Sequence, residues 1–99
     1  MEEIRLLRLT SGEEILVTIL KETQERTFIK NPILLIPDRD KIGFMPYLSY
    51  ADIEELIIKE EHIMFNVKPT NELKENYKNM VHGPDKNKIQ KPKTLKILT

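Results

Sequence analysis

Cysteine is absent from these 99 residues. That removes both a disulfide framework and a thiolate metal site, and leaves nothing that argues for an oxidising compartment. Long apolar runs are missing too. The longest, Ile33 to Ile36, is far short of a membrane span, and the chain opens on the acids of Met1-Glu2-Glu3 rather than on a signal peptide. The expected location is the cytoplasm. Neither sign of charge is in excess: sixteen basic residues balance sixteen acidic ones, which argues against indiscriminate binding to duplex DNA through bulk charge. There is no internal repeat. No Ser-His-Asp set, phosphate-cradling glycine loop or paired-carboxylate signature stands out, so neither catalysis nor a cofactor is expected.

What is present is a chain of single-domain length in which 32 % of residues are charged and 39 % hydrophobic. This suits a small barrel with much exposed surface, completed by association with copies of itself. Charge placement is uneven: glutamate pairs at Glu2-Glu3, Glu13-Glu14, Glu54-Glu55 and Glu60-Glu61 mark the first two-thirds. After Asp85 the tail carries Lys86, Lys88, Lys91, Lys93 and Lys96 without an acid.

The organising stretch is Gly12 to Ile36. Ile15, Val17 and Ile19 make one face apolar while Glu14 and Thr18 are polar, the period-two pattern of a half-buried strand. Thr27 to Ile36 is richer in branched and aromatic residues and ends continuously apolar, as where both faces of a strand are covered. Pro32 cannot donate to a ladder, so the strand is bulged or its pairing is interrupted there. Ahead of these two strands lies a first, Ile4 to Leu9, with Thr10-Ser11-Gly12 as the turn. A fourth runs from Ile42 to Tyr50, bent by Gly43 and Pro46, and continues into Glu55 to Lys59 after a break near Ala51-Asp52. Glu60-Glu61 then leads tightly into a fifth, His62 to Lys68. From Thr70 the period becomes helical, with Leu73, Tyr77, Met80 and Val81 on one stripe, Thr70 or Asn71 as cap, and Gly83-Pro84 as terminator. Beyond Pro84 the tail is basic, with a short last strand at Thr94 to Thr99. The organisation is thus 1–68 barrel, 69–83 helix packed on it, and 84–99 tail.

Two local patterns and the strand plan resemble the Sm and Sm-like (Hfq-like) proteins. Leu9-Thr10-Ser11-Gly12 running into the second strand, followed by Phe28-Ile29-Lys30-Asn31-Pro32-Ile33-Leu34-Leu35, is similar to the first Sm motif. Ile57-Ile58-Lys59-Glu60-Glu61-His62-Ile63-Met64-Phe65 is similar to the second, with Lys59 where the family has arginine and Glu60 where it has glycine. Ile29 stands at the position that stacks on a base in the family, and a helix after the last strand replaces the N-terminal one. Gly43 to Tyr47 resembles the Gly-Phe-Met-Pro-aromatic stretch of the branch encoded by marine phages, which places the protein in a host cell's cytoplasm.

The resemblance implies a mainly β fold: a five-stranded, strongly bent antiparallel Sm-like small barrel with one C-terminal helix. It also implies a homo-oligomeric ring, pentamer to heptamer, holding single-stranded RNA, or DNA, around a pore and acting in RNA or DNA processing. Asn31, whose amide carries donors and an acceptor, is the expected base contact. Lys59, a point charge without arginine's fork, sits at the opposite lip of the same pore, and Lys30 meets phosphate. Phe44, Met45, Tyr47, Ile63 and Phe65 are the expected subunit contacts, since the family pairs the fourth strand of one copy with the fifth of the next. His62 beside two glutamates is not read as a metal site, because neighbours on a strand point to opposite faces. The alternative is a ring of the same fold that serves as a protein-interaction scaffold without binding nucleic acid.

Overall fold

The structure, a computed structural model, describes residues 3–48 and 50–82. It contains strands β1 (Glu3–Leu9), β2 (Glu14–Glu22), β3 (Arg26–Asp38), β4 (Lys41–Pro46), β5 (Glu55–Lys59) and β6 (Ile63–Val67). A single 3-10 turn, Glu60–His62, separates β5 from β6, and helix α1 (Asn71–His82) follows. The fold is mainly β and wholly antiparallel in its pairings, with one C-terminal helix, as the sequence led one to expect. The basic tail and its expected strand lie outside the described residues.

The strand order is β4-β3-β2-β1-β6, with β5 also paired to β3. β4 occupies the far end of β3, from Asp38↔Lys41 to Ile33↔Pro46, and β5 the near end, from Lys30↔Glu55 to Arg26↔Lys59. They are therefore one edge of the sheet broken by residues 47–54, at the place where the sequence shows a break. The strand leaves β3 earlier than Tyr50 because Leu48 takes a positive φ of 57° just after Pro46, a conformation that ends extended pairing.

Among the described residues no ladder joins this edge to β6, so the six-stranded sheet is open where a closed five-stranded barrel was expected. It is nevertheless sharply curled. β5 ends at one edge, β6 begins at the other, and a 3-10 turn of three residues advances the chain by only about 6 Å. That turn is fastened on both sides: the Glu60 N–H donates to the Glu25 carbonyl at 2.8 Å, and the Thr10 N–H to the His62 carbonyl at 2.9 Å.

Curling gives the sheet two covered faces. On the concave side Leu7, Leu9, Ile15, Val17, Ile29 and Ile58 form one core. On the other, Ile4, Leu16, Ile33 and Leu35 pack against Tyr77 and Val81 of α1. β3 serves both because it changes face midway. Opposite the two-residue step from Leu16 to Thr18, it advances three residues, from Ile33 to Lys30, so one extra residue is accommodated at Asn31-Pro32. Asn31 absorbs it with φ 52°, a left-handed conformation that asparagine tolerates better than branched residues. The helix docks there. Tyr77 is fully buried; its hydroxyl lies 2.7 Å from the Thr18 hydroxyl and donates to the Asn31 carbonyl at 2.9 Å. At its start α1 is capped by the Thr70 hydroxyl, which accepts the Leu73 N–H at 3.3 Å.

Tyr77→Phe strips these buried groups of a partner. It is expected to lower stability by about 1–3 kcal/mol in urea unfolding, the cost of leaving a buried polar group unsatisfied. The circular dichroism spectrum should stay unchanged.

Candidate nucleic-acid interface

Among the described residues a concavity lies where the 3-10 turn meets the β2–β3 turn. It is an open cleft of about 390 Å³ lined by Gln24, Glu25, Arg26, Lys59, Glu60 and Glu61. Its near wall is shaped by Thr23. The Thr23 N–H donates to the Arg26 carbonyl at 2.8 Å, and the Arg26 N–H donates back to the Thr23 hydroxyl at 3.0 Å. This is the local bonding by which threonine closes a turn. The far wall is the end of β5. Register sets Arg26 directly opposite Lys59, so two like charges share one face of the ladder, an arrangement that costs stability unless an anion lies nearby. Among the described residues neither is held in an ion pair. Of the three glutamates, Glu60 accepts a hydrogen bond from the buried Thr27 hydroxyl, and Glu61 lies 3.7 Å from the His62 imidazole.

Lys59 is therefore at an opening, but Asn31 is not at the same one. Asn31 stands beside Glu54, whose carbonyl accepts its N–H at 3.2 Å. It is five residues along β3 from the partner of Lys59, or about 17 Å at the rise of a strand. The expected shared lip of Asn31 and Lys59 is replaced by one of Gln24, Arg26 and Lys59. The reason is the pairing register: the turn that precedes β3, not its middle, abuts the turn after β5. Lys30 lies beside Asn31, opposite Glu55 and away from the cleft. In the sequence Gln24 and Arg26 are simply residues at the turn between β2 and β3. The signal for them was the tight β5–β6 link, which has to close against the neighbouring turn.

The expected contact residues divide. Phe44 packs towards the helix-side core, while Tyr47 and Ile63 pack against the concave one, each only partly buried; Met45 is half-buried on β4. Phe65 is the most open of the five, at 56 % exposure on edge strand β6, and Met64 and Val67 beside it are also exposed. Tyr47 additionally ties the 47–54 segment to the first hairpin. Its N–H donates to the Pro32 carbonyl at 2.9 Å and its hydroxyl to Glu13 Oε1 at 3.1 Å. Among the described residues no group of three or more His, Asp or Glu side chains is placed to hold a metal ion, and no helix is long and apolar enough to cross a membrane.

The chain matches no protein-family model, and no curated protein is similar to it at a significant level.

Asn31→Gly is expected to leave stability nearly unchanged and Asn31→Ala to cost about 1 kcal/mol, because the left-handed backbone, not the amide, is what the fold needs. Chemical denaturation of the two variants checks this. Burial, with the hydrogen bond to Glu13 and its charge, raises the Tyr47 pKa above the ordinary tyrosine value. The unfolded chain then gives up this proton first, so the stabilisation is intact below about pH 10 and fades as pH climbs through the folded pKa. Tyr47→Phe should show a shallower stability loss than the parent across that alkaline range, measured by urea midpoints at stepped pH.

Proposed function

We propose that the chain is an Sm-like small barrel that assembles into a homo-oligomeric ring of five to seven copies. The ring holds single-stranded nucleic acid, RNA in preference to DNA, at a lip of Gln24, Arg26 and Lys59, in the service of RNA or DNA processing. The observation that carries the reading is the order of the strands. With β4 and β5 taken as one interrupted strand, the sheet runs β6-β1-β2-β3-β4/β5, and among the described residues no further strand pairs with either outer strand. Unpaired edges invite pairing with another chain, and head-to-tail pairing closes into a ring when the rotation permits. Exposed Phe65 and Val67 on β6 and Ile42 on β4 supply apolar area along those edges. Gly12, with φ 97°, stands in the turn before β2, as in the first Sm motif.

The lip supports the nucleic-acid half of the reading through the opposed Arg26 and Lys59, which an anion between them would relieve. A second reading is favoured by the three carboxylates in the same cleft: a scaffold ring that binds protein and leaves nucleic acid alone.

Light scattering and oligouridine titration at low salt separate the two. A mass of five to seven chains is expected, falling with Phe65→Lys, together with RNA binding that Arg26→Ala and Lys59→Ala each weaken while flattening its salt dependence by about 0.7 per lost phosphate contact. A ring that ignores RNA leaves the scaffold reading, and a strict monomer removes both.

A further inference from the structure

The face of the sheet that carries Arg26 does not stop at the lip. Alternate residues of a strand share a face, and residues directly opposite on a neighbour share it too. From the register, Arg26, Phe28 and Lys30 of β3 therefore lie on one side with Lys59 and Ile57 of β5 and Lys21 of β2. Thr27, Ile29 and Ile58, between them in sequence, are buried on the concave side. Phe28 sits at the centre of this patch. Ile57 opposite it is 54 % exposed, and the Lys21 ammonium lies over the ring, 5.9 Å from its centroid. Four cations thus frame an aromatic ring and a branched aliphatic side chain, and the one carboxylate at these register positions is Glu55, opposite Lys30. Helix α1 bounds the patch at the Lys30 end, where Tyr77 meets the backbone of β3.

An aromatic ring flanked by cations is the chemistry that takes a base on its face and phosphates at its border, without regard to sequence. The charges nearest the ring favour an anionic partner on this face, because Lys21 lies over Phe28 and Arg26 and Lys30 stand two residues to either side of it. We infer that single-stranded nucleic acid leaves the Arg26–Lys59 lip and continues outward over this face. One base stacks on Phe28 against Ile57, and Lys21 and Lys30 contact the flanking phosphates. Arg26 to Phe28 to Lys30 advances about 7 Å per step along the strand, so the track is short and runs directly from the cleft. The inference rests on the nucleic-acid reading of the lip and extends it to a second contact.

The test is fluorescence anisotropy of labelled oligouridine and oligothymidine with the full chain, comparing the parent with Phe28→Leu, Lys21→Ala and Arg26→Ala. Phe28→Leu keeps an apolar side chain but no stacking surface, and should weaken binding between roughly five- and a hundredfold. Lys21→Ala should flatten the salt dependence by about 0.7. Tyr50→Leu, which removes an exposed aromatic outside this register, should bind as the parent does, and thermal melts of each variant confirm that it is folded. Parent-like binding by folded Phe28→Leu, with Arg26→Ala still defective, overturns the outward track and keeps the lip. No binding by the parent at low salt overturns both.

Discussion

A three-residue link between strands at opposite edges of one sheet governs everything else in this molecule. Because β5 lies beside β3 and β6 beside β1, a chain that crosses from one to the other in a single 3-10 turn has to fold the sheet over on itself. The hydrogen bonds from Glu60 to Glu25 and from Thr10 to His62 anchor that turn to the two hairpin ends it passes. The curl makes an enclosed concave face, which is where Leu7, Ile15, Val17 and Ile29 lose contact with water entirely. At about 1.5–3 kcal/mol for each side chain so buried, this core is the main driving force that keeps the turn closed. The β3–β5 pairing beside that turn sets Arg26 and Lys59 face to face, so the cleft is a by-product of the packing that stabilises the curled sheet.

The second constraint is the extra residue in β3. A strand that kept strict alternation from Thr27 to Leu35 would hold Ile33 and Leu35 on the same face as Ile29 and deny them to the helix. The bulge at Asn31-Pro32 moves Ile33 and Leu35 to the outer face while Ile29 stays inside. Helix α1 then covers that outer face and inserts Tyr77 at the bulge itself, where the disturbed ladder has left a carbonyl to receive a hydroxyl proton. Asn31 therefore acts through its backbone.

How much of this could be read from the chain follows from which interactions are local. The mostly apolar run of β1, the alternate apolar positions of β2, the turn glycine Gly12, the interruption of β3 at Pro32, the break after β4 and the cap at Thr70 all depend on residues a few positions apart, and each is legible. The juxtaposition of Arg26 with Lys59 is not, since it depends on which register β5 takes against β3, a pairing between residues more than thirty positions apart. A sequence pattern cannot fix such a register. The open edge was equally hidden, because the fourth and fifth strands read as one plan whether or not they close on each other.

Charge balance across the cleft needs the same care as charge balance across the chain. Three carboxylates and two cations line it, and by simple addition an anion would be repelled. Two of those carboxylates have partners of their own, however: Glu60 at the Thr27 hydroxyl and Glu61 by the His62 ring. A hydrogen bond from Thr27 spreads the charge of Glu60 towards the sheet, and Glu61 is offset further whenever His62 is protonated. Arg26 and Lys59 have no such engagement among the described residues and oppose each other across the ladder. At physiological salt, exposed charges more than about 8 Å apart scarcely feel one another, so what a ligand meets is set by the nearest groups. For a ligand approaching over the β3–β5 ladder, Arg26 and Lys59 stand directly opposite each other on that face.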